Sequence, residues 1–268
     1  MKLRSAVTLV TGAASGIGRS TVLSFVQKGA ARVYACDVNE EGLASLAKEA
    51  GSAVVVKPLD VSKRAAWKTL AAEVHEAHGA LDVLVNNAGV GLSGGILDTP
   101  LEDWDWVVSI NLWGVIYGCH FFAPKMVEAK KGQIVNISSV FGFFGPPGVA
   151  GYVTTKFGVL GLSESMRGEL APFNVGVSTI CPGLVSTNIV KETRYHGEAA
   201  QKTRTKVVGM YEKKNYSPDN VGQAIVGAVE RNQAVVPVTP EAWALYYAKR
   251  AMPNLSGPLG RLVRKQSQ

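Results

Sequence analysis

A five-residue apolar run, AVTLV from Ala6 to Val10, passes without a break into TGAASGIG, Thr11 to Gly18, and then into a helix-length stretch ending near Lys28. Few folds accommodate that order. The run has strand length and β-branched content, and glycines at 12, 16 and 18 permit a tight turn from strand into helix. The helix points unpaired N–H groups back at the turn, which favours a pyrophosphate there. The spacing is G-x3-G-x-G, and taken alone such a turn also fits a purely structural role.

The rest of the chain repeats the theme. Runs at 32–36, 53–56, 81–85, 133–137 and 176–180 read as further strands, and 234–238 as a seventh, with Pro237 marking a sheet edge. Helix-length stretches at 17–28, 40–50, 63–78, 101–129 and 153–171 lie between them. This alternation predicts an α/β fold: a doubly wound, mainly parallel seven-stranded sheet, Rossmann-like, with helices on both faces. Ligands then belong at the strand C-termini. A single catalytic domain over 1–240 is expected, followed by a basic, aromatic extension over 241–268.

Composition enters as a set of bounds. With 268 residues and 47% hydrophobic content, the chain can bury a sizeable core. Cys36, Cys119 and Cys181 are far apart without a CxxC pair, and His75 and His78 lack further ligands, so neither a disulfide framework nor a metal is expected. The net charge of +7 is uneven: 188–215 carries seven Lys/Arg against three Glu, and 242–268 carries five Lys/Arg and no acid. The body is slightly acidic, which disfavours a nucleic-acid partner. The N-terminal apolar run is short for a signal peptide, and no unbroken run of 18 apolar residues occurs. A cytoplasmic location is the expectation.

Each predicted strand end carries a candidate ligand. Asp37 closes the second strand, where a carboxylate can accept both adenosine ribose hydroxyls and repel a 2′-phosphate. No cation flanks it: Ser15 precedes Gly16, and Val38 and Asn39 follow Asp37. NAD is therefore expected rather than NADP. Gly12, Ser15, Gly16, Ile17 and Gly18 form the turn, and Asp60 and Val61 follow the third strand where adenine belongs. NNAG, Asn86 to Gly89, follows the fourth; the asparagines Asn86 and Asn87 can brace backbone turns while Ala88 and Gly89 leave room. After the sixth, CPGLVST places Pro182, Gly183, the Val185 backbone and the Thr187 hydroxyl where a carboxamide can be gripped.

Tyr152 and Lys156 share one helix face, and of the eight tyrosines only Tyr152 has a lysine four residues later. A neighbouring ammonium lowers a phenol from its free pKa of about 10 toward a working range. Ser139, thirteen residues upstream and just past a strand, can hold a substrate oxygen beside that phenol. Asn111 can hold a water linking the lysine to solvent.

In this order, TGxxxGxG, Asp37, NNAG, Asn111, Ser139, YxxxK and PG resemble the short-chain dehydrogenase/reductase family over roughly residues 5–240. The resemblance implies a catalytic tetrad of Asn111, Ser139, Tyr152 and Lys156. Tyr152 would be the acid/base, Ser139 would orient substrate, and Lys156 would bind the nicotinamide ribose and tune Tyr152. Asn111 would support a proton relay. It further implies hydride transfer between NAD(H) and a secondary alcohol or ketone, by a homodimer or homotetramer built on helices near 101–129 and 153–171. An NADPH-dependent carbonyl reductase is the alternative, which Asp37 opposes; a non-catalytic dinucleotide sensor is another, which the intact tetrad opposes.

The substrate side is less determined. Phe141, Phe143 and Phe144 either line an apolar pocket for a lipophilic substrate or simply pack the loop, and Leu92, Ile96 and the loop after Thr187 can add lining. Residues 188–215 fit a mobile lid. The stretch from Pro240 to Lys265, with Trp243, Tyr246 and Tyr247, fits peripheral contact with anionic lipid, a cover for the pocket, or packing on a partner subunit.

Overall fold

The computed structural model describes residues 1–252 and 254. Its strands are β1 Val7–Thr11, β2 Arg32–Asp37, β3 Val54–Pro58, β4 Val83–Asn86, β5 Leu92–Ser93, β6 Gly132–Ile137, β7 Val175–Cys181, β8 Arg194–Tyr195 and β9 Val235–Pro237. Its helices are α1 Gly16–Gln27, α2 Glu40–Ala50, α3 Arg64–His78, α4 Leu101–Val108, α5 Gly114–Glu128, α6 Ala150–Leu170, α7 Glu198–Lys214, α8 Pro218–Arg231 and α9 Pro240–Ala251.

Seven strands form one sheet in the order β3-β2-β1-β4-β6-β7-β9, every pair parallel. These are the seven predicted strands, and β9, which holds Pro237, is an edge. The chain builds outward from β1 to β3, then returns to place β4 on the other side of β1. That reversal opens a crevice at the strand C-termini. The pair β5–β8 is an addition that two-residue strands could not announce in sequence.

Both sheet faces are covered, so the inner strands are continuously buried rather than alternating. Every residue of β6 and of β7 is buried. On one face Phe25, Leu43 and Ile225 pack from α1, α2 and α8; on the other Trp67, Phe122, Met126 and Val159 pack from α3, α5 and α6. Each such side chain contributes roughly 1.5–3 kcal/mol on burial.

Helix starts follow local chemistry. The Asn39 side chain accepts the Gly42 N–H at 2.9 Å, and Ser217 and Thr239 cap α8 and α9, each with proline in the first turn. α1 differs: Ser15 makes no side-chain cap bond, and no acid lies in its first turn.

From Leu101 to Glu128 the helix is continuous, and it is long and apolar enough to cross a membrane by composition. Its inner face serves packing: Val107, Asn111, Val115, Phe122 and Met126 are buried, whereas Leu101 and Trp113 face outward. A π-helical turn at Ser109–Trp113 separates α4 from α5 and carries the fully buried Asn111.

The described part of the predicted extension packs on the fold. Ala242 is fully buried, Tyr246 meets Phe143 edge-on at 5.5 Å, and a methyl on Gly183 would lie 2.5 Å from a Glu241 carboxylate oxygen. The remainder of the expected basic tail, at 253 and 255–268, falls outside the described residues.

Candidate active site

The glycine turn and the NNAG segment are stitched together where the sheet order reverses. The Thr11 hydroxyl accepts the N–H groups of Asn87 and Ala88, both at 3.0 Å. Asn87 Nδ2 donates to the carbonyls of Thr11 at 2.8 Å and Gly12 at 3.1 Å. Gly12 has φ +65°, a conformation that side chains resist. Gly18 is needed for space: a methyl there would lie 2.0 Å from the Gly12 carbonyl oxygen. With α1 uncapped, its first N–H groups remain available to an anion.

Asp37 serves the same turn. One carboxylate oxygen accepts the Ala14 N–H at 2.9 Å and the other the Asn39 N–H at 3.0 Å. Asp60 accepts from Ser62 through its backbone and hydroxyl. Of the two asparagines, Asn86 turns into the core and donates to Asn136 at 2.8 Å, leaving Asn87 as the brace.

A cavity of about 730 Å³ runs along this edge of the sheet. Gly12, Ser15, Gly16, Ile17, Asp37, Asp60 and Val61 border one end. Asn87, Ala88, Gly89, Pro182, Gly183, Val185 and Thr187 border the middle, and Ser139, Tyr152 and Lys156 the other end. Gly18 and Asn111, also predicted site residues, stand behind this lining.

At the chemical end, Lys156 Nζ donates to the Ile137 carbonyl at 3.1 Å and lies 5.5 Å from the centre of the Tyr152 ring. Burial lowers Lys156 to a pKa of about 8, against a smaller opposing influence of Cys181. Burial likewise raises Tyr152, a charge on Tyr211 would raise it further, and the Ser139 hydroxyl beside it works the other way. Burial thus pushes the phenol upward, opposite to the lowering expected from Lys156. Desolvation is the largest influence on both groups, on Lys156 in the buried interior and on Tyr152 half-buried at the cavity wall.

Asn111 is pinned rather than open to solvent. Its amide oxygen accepts the Val90 N–H at 2.8 Å and its amide nitrogen donates to the Val90 carbonyl at 2.9 Å. It also approaches the Thr155 hydroxyl at 3.4 Å, which in turn donates to the Tyr152 carbonyl at 2.8 Å. Thr155 thus links Asn111 and Tyr152, two of the candidate site residues, through a buried hydroxyl, a link that its sequence position did not reveal. Ser138 is a second omission: its hydroxyl donates to the Lys156 carbonyl at 2.8 Å. The adjacent Ser138–Ser139 pair was the available signal.

The candidate pocket aromatics divide. Phe141 and Leu92 border the cavity, and Phe141 meets the Tyr152 ring edge-on at 6.2 Å. Phe143 and Phe144 are buried in loop packing, while Ile96 is 70% exposed. The segment expected as a lid is built of α7 and β8, and it is clamped. β8 pairs with β5, and buried Asp103 binds both Arg194 and His196. Burial tends to raise the Asp103 pKa, but the bonds from Arg194 and His196 outweigh it and hold the carboxyl below its ordinary range. Arg194 also lies 3.7 Å over the Trp106 ring. From this segment Tyr195, Val207, Met210 and Tyr211 reach the cavity. The last three fall at i, i+3 and i+4, a spacing legible in sequence and overlooked.

A parallel sheet with a stitched glycine turn at its reversal point, and serine, tyrosine and lysine at the same edge, defines a dinucleotide-binding α/β fold with candidate acid–base residues beside its ligand crevice. The family model described as short chain dehydrogenase matches residues 6–197, and the chain belongs to that family. It is 40% identical over 262 residues to the Mycobacterium tuberculosis protein named Probable oxidoreductase EphD, covering 94% of this chain and 44% of that one. The chain thus spans less than half the length of that relative. It is 41% identical over 186 residues to a 3-alpha-(or 20-beta)-hydroxysteroid dehydrogenase of the same organism, covering 69% of this chain and 71% of that one. Among solved structures, a short chain dehydrogenase/reductase from Burkholderia phymatum in complex with NAD superposes with TM-score 0.87 at 28% identity, over 95% of this chain and 96% of that one.

The residues present fit a dinucleotide: the glycine cradle, the uncapped helix and the carboxylate at the end of β2 each match one part of it. A test follows from Gly18. Gly18→Ala places a methyl 2.0 Å from a backbone oxygen, so the turn must shift. Strain of this kind costs about 1–3 kcal/mol. Calorimetric titration of the nucleotide is expected to show at least about a fivefold loss of affinity. Unchanged binding would show that the turn does not hold the cofactor.

Proposed function

We propose that the chain is an NAD(H)-preferring oxidoreductase interconverting a bulky, lipophilic secondary alcohol and its ketone. One observation carries the reading: a single cavity joins Asp37 at one end to Ser139, Tyr152 and Lys156 at the other. The nicotinamide, when bound, supplies the hydride acceptor or donor. The side chains do the rest. Ser139 orients the substrate oxygen against Tyr152. The Tyr152 phenolate takes the alcohol proton in oxidation, and the phenol returns it in reduction. Lys156 holds the ribose and keeps a positive charge beside the phenolate. Asn111, fixed by Val90 and Thr155, supports the route by which Lys156 exchanges its proton with solvent.

NAD preference rests on Asp37, whose carboxylate would oppose a 2′-phosphate. Arg19, in the first turn of α1, is committed to Glu49 and to the Gly42 carbonyl. Lipophilic preference rests on Phe141, Val190 and Met210 around the cavity, and a relative named for a hydroxysteroid fits it. Exposed Leu101, Trp113 and Phe157 on the outer faces of α4–α5 and α6 favour a homodimer or homotetramer through those helices.

The test is a screen of secondary alcohols and ketones of increasing apolar bulk, with NAD(H) and NADP(H) in parallel, followed by nicotinamide absorbance. Efficiency is expected to rise with bulk and to favour NAD(H); preference for NADP(H) or for the smallest alcohols would sink the reading. Asp37→Asn refines it, because an amide oxygen can still accept the Ala14 N–H while the charge is gone. The ratio of kcat/KM for NAD(H) over NADP(H) should then fall about tenfold or more.

A further inference from the structure

The lid helix α7 turns an uncovered face toward the catalytic residues. Val207 and Tyr211 are partly exposed, Met210 is 50% exposed, and all three border the cavity that holds Tyr152. An apolar helix face left open over a cavity is suited to the apolar body of a ligand. It carries one polar atom, the Tyr211 hydroxyl. That phenol is near enough to the reaction centre for a charge on it to oppose ionisation of Tyr152. Burial, with Tyr195 and Glu241 adding, pushes Tyr211 up to about 12, so it stays a neutral phenol able to donate a hydrogen bond throughout the range of any assay.

The other polar groups on this side are differently placed. The Tyr195 hydroxyl donates to the Val190 carbonyl at 3.3 Å, Thr193 donates to Ile189 at 2.7 Å, and Ser93 to Gly148 at 3.4 Å. Asn188 and Glu192 border the cavity from exposed positions. The end of α7 is held as well: Lys214 pairs with Glu241, which also accepts the Leu184 N–H at 3.2 Å. The helix carrying Tyr211 is thereby tied to the loop that borders the middle of the cavity.

Resting on the reading of the site given above, we infer that Tyr211 is a specificity-determining residue that binds a second oxygen of the substrate. The substrate class is then a lipophilic alcohol or ketone with one oxygen at Ser139 and Tyr152 and another, a hydroxyl or carbonyl, held by Tyr211. A phenol at the cavity wall that the bound ligand covers, and that is left without a partner when a mono-oxygenated analogue binds, explains why such a site discriminates: the unpaired polar group is costly, whereas an extra methylene is not.

The experiment compares rigid fused-ring ketones, each with and without a second carbonyl or hydroxyl at successive ring positions, on wild type and Tyr211→Phe. The substitution removes one oxygen atom at the cavity wall. The readout is the ratio of kcat/KM within each matched pair, from which general effects on folding or on the reaction centre cancel. Wild type is expected to favour the doubly oxygenated member by about tenfold or more at one or two ring positions, and Tyr211→Phe to erase most of that preference. A preference that survives in Tyr211→Phe, or one absent from wild type that still turns over the mono-oxygenated ketones, overturns the inference and leaves the proposed reaction standing. Wild type that turns over neither series with either cofactor removes the proposed reaction, and this inference with it.

Discussion

Tyr152→Phe is expected to lose about two to four orders of magnitude in kcat, the usual contribution of a positioned acid/base group. Nucleotide affinity, measured by calorimetry, should change little, because the lost hydroxyl faces the substrate side with Ser139. The pH dependence separates a chemical role from a structural one. Oxidation needs the phenolate. Burial raises Tyr152 above its ordinary value, so the oxidation rate should climb with pH through an alkaline limb. Reduction needs the phenol and should decline through the same limb. Tyr152→Phe is expected to abolish that limb in its residual activity. A variant with near wild-type turnover, or with the limb intact, would remove Tyr152 from the chemistry.

Lys156→Met is expected to abolish most turnover and yet stabilise the nucleotide-free protein. The lysine is 4% exposed, and its ammonium donates to the Ile137 carbonyl. Its pKa falls from 10.5 to about 8, a gap equivalent to roughly 3 kcal/mol. The sign follows from proton counting. Between about pH 8 and 10.5 the unfolded chain binds the proton that the folded chain has released, so stability rises with pH across that window. Below it, the folded state bears the full cost of a buried ammonium. Methionine matches the length of the stem and removes the charge, but it strands the Ile137 carbonyl. A net gain of about 1–2 kcal/mol remains, worth a rise in Tm of about 2–8 °C at pH 7. The alkaline rise should vanish with the lysine. A lower Tm at pH 7, or an alkaline rise that persists in the variant, would overturn this account. The stabilisation would mark Lys156 as a residue kept for function at the expense of stability.

Much of the fold was legible in sequence because its signals are local. Seven strands announce themselves by β-branched apolar runs, and the helices between them by length and by the residues that start them. Pro237 at the edge is a hydrogen-bonding constraint that reads directly. The glycine turn, Asp37 and the Tyr152–Lys156 face are likewise short-range patterns, and the structure brings them to one cavity. The two-residue strands β5 and β8 carry no periodicity and exist only because they meet. Phe143, Phe144 and Ile96 show the same limit: an aromatic or aliphatic residue in a loop reads alike whether it packs inward, lines a cavity or faces water.

Local sequence was therefore sufficient for the order of the elements, the place of the glycine turn, the carboxylate at the end of β2 and the serine, tyrosine and lysine with their spacing. Each depends on neighbours within a turn or a strand. The protonation preferences of Tyr152 and Lys156, the pinning of Asn111 by Val90, and the arrival of Tyr211 at the cavity that holds Tyr152 belong to the folded molecule. They depend on which distant segments exclude water from a group or supply its partner, and desolvation and long-range hydrogen bonding have no period along the chain.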